Sequence, residues 1–360
     1  MGNDLRSRIP IIEGRVLVTG GSGFIGKRLV AALVTAGTKV TVADLRPFPG
    51  DSGSVEAVVG DLYDPDVADQ AVAPGTDTII HLAARTSVLE SVKDPETTYR
   101  NNVAVTAGLL EMARRRGVRT FLFASTNAVV GNVGGAIITE QAPLRPLTPY
   151  GATKAASEML ISSYAAAYGV RGVPLRFSNV YGPGMQHKDS FIPRLMRAAR
   201  DGTGVKVRGD GTMIRDVIQV DDVLSGIFAA WRSDHTGPVI LGSGQAVTVN
   251  EMVATARRVT GVDIPAENAP IAQGEMPAVK LDISIARGLG YVPTYDLESG
   301  MATVWPDFAP EGALTARALD APAPAGSALA GPALAGPALA GPALAGPALA
   351  GPALAAEGAR

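Results

Sequence analysis

In Pro149-Tyr150-Gly151-Ala152-Thr153-Lys154 a phenol and an ammonium stand four residues apart at the start of a helical pattern, so both project from one face. A phenol with its ordinary pKa near 10 is a poor base at neutral pH, and a neighbouring cation favours the phenolate. The pairing therefore reads as proton-transfer machinery. Tyr-x-x-x-Lys also arises by chance at the start of any surface helix, so its weight comes from its company. Ser125-Thr126 closes an apolar strand pattern, and ligands of parallel sheets bind at the carboxyl ends of the strands. A glycine-rich turn lies about 130 residues before the tyrosine.

That turn, Thr19-Gly20-Gly21-Ser22-Gly23-Phe24-Ile25-Gly26, follows a strand pattern at Arg15–Thr19 and opens an amphipathic helix pattern from Phe24 to Ala36. Gly20 and Gly23 permit a tight turn and let the backbone approach a pyrophosphate. The helix start at Phe24 and Ile25 offers unpaired N–H groups and a positive dipole end to the phosphates. Asp44 closes the second strand pattern, eighteen residues beyond Gly26. A carboxylate there accepts hydrogen bonds from an adenosine ribose and repels a 2′-phosphate, which favours NAD, while Arg46 leaves NADP open. The alternative is a structural turn in a sheet that binds nothing. Asp61 and Leu62, in Gly60-Asp61-Leu62, follow the third strand and place a carboxylate near the adenine edge. His81-Leu82-Ala83-Ala84 ends the fourth, where Leu82, Ala83 and Ala84 let the backbone lie close to a cofactor. His81 itself reads as a satisfied core position.

The elements that must hold these residues alternate. Lys39–Ala43, Val55–Val59, Thr78–Leu82 and Thr120–Ala124 are further apolar runs bounded by turn signals, and Tyr99–Arg116 and Tyr150–Tyr168 read as helices ending at Gly117 and Gly169. Strands alternating with helices imply a parallel sheet covered on both faces. The expected fold class is α/β: a Rossmann-type, doubly wound parallel sheet with a smaller interleaved C-terminal substrate-binding region and a disordered tail. Residues 1–175 are expected to form the NAD-binding domain, with a later segment near 215–242 returning to it. Residues 176–310 form mainly the substrate-binding region, including a loop at Gly202–Gly211. Residues 321–360 are mostly Ala/Pro/Gly/Leu, with five copies of GPALA from Gly331 to Ala355. A Gly-Pro pair in each copy breaks every turn before a helix can form, hence the disordered tail.

Composition removes other classes. The 360 residues are 46% hydrophobic and 18% charged, which suits a large core, and the net charge of -2 offers no basic excess for nucleic acid. Without cysteine there is no disulfide, thiolate metal site or cysteine nucleophile, and three scattered histidines do not make a metal centre. The most apolar stretch, Val16–Gly37, is interrupted by Lys27 and Arg28, so no membrane span is expected. Asp4, Arg6, Arg8 and Glu13 occupy the place of a signal peptide's apolar run, so a cytoplasmic location is expected.

Together these residues resemble the extended short-chain dehydrogenase/reductase family, within it the NAD-dependent nucleotide-sugar epimerases and dehydratases. The resemblance runs from about Arg15 to Trp305. It rests on TGGSGFIG, Asp44, GDL, HLAA, PYGATK, Asn179-Val180-Tyr181-Gly182-Pro183, the Arg215–Asp222 stretch, and Asp282-Ile283-Ser284 with Leu289-Gly290-Tyr291. It implies Tyr150 as base, Lys154 binding the nicotinamide ribose and lowering the phenol's pKa, and Thr126 hydrogen-bonding the reacting sugar hydroxyl. It implies that Asn102 supports the lysine and that Asn179 and Arg215 hold the substrate diphosphate, a task suited to the guanidinium fork. A homodimer through the Tyr99–Arg116 and Tyr150–Tyr168 helices is also implied.

The family's branches part just after the catalytic hydroxyl residue. Its 4,6-dehydratases carry an Asp-Glu pair there, and its decarboxylases a glutamate. Asn127-Ala128 stands here instead, so elimination and decarboxylation lose their usual groups. The chain is most similar to UDP-sugar 4-epimerases, which oxidise C4 to a transient 4-keto sugar and return the hydride to the other face. Its expected ligands are NAD and a UDP-sugar contacted by Arg85, Thr126, Asn127, Tyr150, Asn179 and Arg215, either UDP-glucose/galactose or UDP-glucuronate/galacturonate. Arg85 reads either as a partner for a C6 carboxylate or as a solvent-facing arginine. Val130 and Gln219 depart from the family's usual aromatic and His/Tyr residues, which bears on pocket shape. The competing readings are a 4,6-dehydratase or 4-keto reductase, and a non-catalytic NAD-binding regulator.

Overall fold

The apolar runs become strands of one sheet. The computed structural model describes residues 14–50, 52–271 and 278–310. The chain divides into two units, Met1–Leu319 and Asp320–Arg360, and the GPALA tail lies outside the described residues.

Along the first unit come β1 (Arg15–Thr19), α1 (Phe24–Thr35), β2 (Lys39–Asp44), β3 (Glu56–Val59), α2 (Pro65–Ala71) and β4 (Thr76–His81). Then follow α3 (Val88–Lys93), α4 (Pro95–Tyr99), α5 (Val105–Arg116), β5 (Thr120–Thr126), β6 (Ile137–Ile138), α6 (Pro149–Tyr168) and β7 (Arg171–Phe177). The remainder holds β8 (Asn179–Tyr181), α7 (Phe191–Asp201), β9 (Val205–Arg208), β10 (Ile214–Arg215), β11 (Val217–Gln219), α8 (Val220–Arg232) and β12 (Val239–Leu241). Last come β13 (Val247–Thr248), α9 (Val249–Thr260), β14 (Ala266–Ala269), β15 (Lys280–Leu281), α10 (Ser284–Gly288) and α11 (Leu297–Val304).

Seven parallel strands pair in the order β12-β7-β5-β4-β1-β2-β3. The order reverses at β1, with β2 on one side and β4 on the other, and a crevice at such a switch point is where ligands of open α/β sheets bind. Alternation along each strand feeds two cores. Val16 and Val18 pack with Leu29, Leu33, Leu224 and Phe228 of α1 and α8, while Leu17 packs with Leu109, Leu110 and Ile161 of α5 and α6. Burying a side chain of this size is worth about 1.5–3 kcal/mol relative to exposure. A third core joins Leu195 and Met196 of α7, Met252 and Val253 of α9, and Met301 and Val304 of α11. No helix among the described residues is long and apolar enough to cross a membrane.

Two elements differ from expectation. The stretch read as a loop at Gly202–Gly211 contains β9, paired in parallel with β14. Val205 and Val207 are buried while Lys206 and Arg208 are exposed, a period-two pattern only four residues long and flanked by glycine. The helix expected from Tyr99 is broken into α4, a π-helical turn at Arg100–Ala104, and α5. Gly117 and Gly169 close α5 and α6 in the left-handed conformation, at φ 68° and 72°.

Candidate active site

Gly20 sits at the switch point with φ 69°, and a Cβ on it would lie 2.7 Å from the Ala83 nitrogen. A Cβ on Gly26 would lie 2.2 Å from the Gly20 carbonyl oxygen, so β1, α1 and the end of β4 can close up only if both stay glycine. Gly23 precedes α1 without a side-chain cap, and the first turn of α1 has no acidic residue. Its first N–H groups are therefore left for an anion, which fits a pyrophosphate. Asp44, at the end of β2, accepts from the backbone N–H groups of Ser22 (3.0 Å) and Arg46 (3.1 Å). Asp61 accepts from Tyr63 N–H at 3.0 Å and pairs with Arg100, whose guanidinium stacks 4.6 Å from the Tyr63 ring centroid.

His81 is fully buried and neutral: burial, then the charge on Lys154, pulls its pKa down to about 3. Its tautomer follows from its neighbours. The Thr106 hydroxyl donates to Asn102 O (2.6 Å), so its oxygen accepts from His81 Nε2–H (3.1 Å). Ala83 N–H donates to the Thr19 oxygen (3.2 Å), whose hydroxyl donates to His81 Nδ1 (2.6 Å). The core reading of His81 matches this arrangement.

Thr148 caps α6 by accepting from Gly151 N–H, placing Tyr150 and Lys154 at its start. Lys154 is buried, its ammonium donating to Ala124 O at 2.7 Å and standing 4.4 Å from the Phe123 ring centroid. Burial lowers its pKa to about 7, opposed by Glu158. Burial raises the Tyr150 phenol to about 12, with the hydrogen-bonded Thr126 hydroxyl pulling the other way. This departs from the expected acidified phenol. The phenol's own desolvation is the larger of the two effects.

One cavity of about 980 Å³ collects nearly every candidate residue. Gly20, Gly23, Phe24, Ile25, Asp44, Asp61, Leu62, Leu82, Ala83 and Ala84 line it, as do Arg85, Thr126, Asn127, Tyr150, Lys154, Asn179 and Arg215. Asn102 does not. It is buried behind the wall, holding Arg85 through N–H to Oδ1 (2.8 Å) and Nδ2 to Arg85 O (3.0 Å), with Nδ2 also on Thr153 Oγ1 (3.0 Å). Thr153 in turn donates to Tyr150 O, which links Asn102 to the tyrosine's turn of α6. Arg85 is exposed, and Asn179 Nδ2 donates to Asp216 O at 3.3 Å. Asn127 donates to Phe177 O at 3.2 Å, and its Oδ1 is buried with no partner among the described residues. Lys188 and Ser190 also line the cavity; they lie in the irregular stretch after Pro183, where no periodicity points to them.

A doubly wound sheet whose switch-point turn opens into the same cavity as a buried lysine and a phenol defines a dinucleotide-binding protein of the Rossmann class. The chain belongs to the NAD dependent epimerase/dehydratase family, whose sequence model matches residues 16–242, and its cofactor is NAD. A protein named dTDP-glucose 4,6-dehydratase from Streptomyces griseus is 33% identical over 325 residues, covering 84% of this chain and 99% of that one. The structure of Thermus thermophilus UDP-glucose 4-epimerase with NAD superposes with a TM-score of 0.74 at 31% identity, covering 82% of this chain and 98% of that one. The UDP-glucuronic acid 4-epimerase of Bacillus cereus, in complex with UDP-glucuronic acid and NAD, gives a TM-score of 0.73 at 27% identity, with the same 82% and 98% coverage.

Proposed function

We propose that the protein interconverts C4 epimers of a UDP-sugar, with Tyr150 as the proton-transfer group. The carrying observation is the cavity wall itself. It presents Thr126, Tyr150 and Lys154 beside the glycine turn, and its only lining carboxylates among the described residues are Asp44 and Asp61, at the ends of β2 and β3. Removing water from C5 and C6 needs a further acid and base near the sugar, and Asn127 and Ala128 provide neither.

The Gly20–Gly26 turn and the start of α1 would hold the pyrophosphate, Asp44 the adenosine ribose, Asp61 and Leu62 the adenine edge, and Leu82–Ala84 with Lys154 the nicotinamide end. When bound, NAD would supply the hydride acceptor for C4 in its oxidised form, with a positive charge beside the phenol, and the hydride donor in its reduced form. Thr126 and Tyr150 share the C4 hydroxyl, and Tyr150 removes its proton as the 4-keto sugar forms, then returns it. A phenol at about 12 is protonated at pH 7, so Lys154 must be an ammonium for it to act as base. Asn179 and Arg215 would hold the diphosphate.

Two readings of C6 follow from two residues. The exposed Arg85 suits the carboxylate of UDP-glucuronate, whereas the unmatched Asn127 Oδ1 suits the donating hydroxymethyl of UDP-glucose. A homodimer is proposed through the α4–α5 and α6 helices, where Tyr99 and Met159 are exposed; light scattering of the purified protein tests it.

The test of the reaction is incubation of purified protein with a panel of UDP-sugars, without added NAD, resolving epimers by chromatography. Wild type forms C4 epimers without net NADH, and Tyr150→Phe loses about 10²–10⁴-fold in turnover. Steady NADH consumption, or Tyr150→Phe turnover within a few-fold of wild type, would overturn the assignment. Arg85→Ala compared on UDP-glucuronate and UDP-glucose decides between the two C6 readings.

A further inference from the structure

Neither Glu158 nor Arg176 lines the cavity, yet both are buried, at 6% and 3% exposure. Arg176, near the end of β7, grips Glu158 through Nη2–Oε2 (2.7 Å) and Nε–Oε1 (3.0 Å). Its Nη1 donates to Glu140 O at 3.0 Å, and Glu140 Oε1 in turn accepts from Ile240 N–H of β12 at 2.9 Å. Ser125, the residue before Thr126, donates its hydroxyl to Glu158 Oε1. One helical turn before Glu158 is Lys154, tied to Ala124 O. α6 thus holds residues 124–125 at two points, through the lysine and through the glutamate.

A buried ion pair is an expensive way to fill space. Desolvation of both charges is often not recovered, and apolar residues of equal volume frequently serve as well. This pair therefore calls for a role besides packing. The planar guanidinium fork of Arg176 meets both oxygens of Glu158 and so holds that side chain in one orientation. The titratable groups around Lys154 are Tyr150 and Glu158 on α6, neutral His81 on β4 and Arg176 on β7, with Glu140 beyond. Of these, Glu158 is the group that opposes the effect of burial on the ammonium.

We infer that Glu158, fixed by Arg176, is a positioning residue for the proton-transfer set, keeping Lys154 an ammonium and the Ala124–Thr126 strand end aligned with Tyr150. The inference rests on the epimerase reading for its kinetic consequence, but its structural consequence can be measured without it.

The test uses the NAD-bound protein and Glu158→Gln. Without the carboxylate, the lysine loses its proton at lower pH. The factor by which kcat falls relative to wild type then grows roughly fivefold between pH 6 and pH 8.5, a pKa unit being a factor of ten. Thermal stability changes in the opposite sense. Below about pH 7 the variant must bury an ammonium without its counter-ion, so its Tm deficit is wider at pH 6 than at pH 8.5. A Tm deficit equal at both pH values overturns the inference, whatever kcat does, and marks the pair as scaffold. Should Glu158→Gln alone leave Arg176 too costly to bury, E158Q/R176Q removes both charges and undergoes the same two measurements with the same expected signs. Failure of the wild type to epimerise any UDP-sugar would end the proposed reaction, while the Tm comparison would still decide the role of Glu158.

Discussion

At the β1 end of the cavity the wall is main chain: Gly20 against Ala83, Gly26 against Gly20, Leu82 N–H on Thr19 O at 3.1 Å. Around β8 and β10 the same cavity is lined by residues with side chains of different types, among them Asn179, Lys188, Ser190 and Arg215. A wall of backbone tolerates almost no change and suits a ligand that is always the same. A wall of side chains can be recut residue by residue, which suits a substrate that varies among proteins sharing one sheet.

The sharpest way to break this contrast is Gly26→Ala. Its methyl would meet backbone on two sides, the Gly20 oxygen at 2.2 Å and the Gly21 Cα at 2.7 Å. The expected result is a loss of about 1–3 kcal/mol in chemical unfolding together with loss of co-purifying dinucleotide, read by absorbance. Normal stability with normal NAD content would show that the turn is not the constraint. The second test is acidification. His81 stays neutral in the fold, at about 3, and would titrate near 6.5 when unfolded, so stability should fall as pH drops below about 6.5 toward 3. Between pH 6.5 and 4.5 that loss is on the order of 2 kcal/mol, and His81→Asn should flatten the slope in unfolding experiments.

Smaller effects sharpen the comparison. Asp44→Asn should move the ratio of NAD to NADP affinity toward NADP by about tenfold in binding titrations, since a charge-assisted hydrogen bond is worth about 1.5–3 kcal/mol. Arg215→Lys should raise the KM for the UDP-sugar about fivefold and leave NAD content unchanged, the fork having been replaced by a point charge. A parallel fall in NAD content would mean that the two ends are not independently built.

What the sequence disclosed divides along the same line. β1 runs from Arg15 to Thr19 as its apolar run implies, because a central parallel strand buried on both faces carries no polar interruption. Gly117 and Gly169 mark helix ends for a local reason, the left-handed residue that glycine alone adopts without strain. β9 stayed hidden because four alternating residues between glycines look like a turn, and its partner β14 lies about sixty residues further on. The candidate residues from Gly20 to Arg215 were legible by motif, and the cavity gathers all but Asn102. Lys188 and Ser190 follow no repeat that would reveal them. The raised phenol was not legible either, because it depends on how deeply Tyr150 is buried, a three-dimensional fact that a four-residue spacing does not contain.

The π-helical turn at Arg100–Ala104 leaves this stretch sensitive to length as well as to residue type. One residue more than a regular helix would use lets Asn102 reach Arg85 and Thr153 while Leu109, Leu110 and Ala113 still meet the sheet. Excising a single residue here would restore regular winding and remove the widened turn in which Asn102 sits. A deletion in this stretch, whose Asn101 and Val105 line the cavity, would then reach the tyrosine's turn as well as the cavity wall.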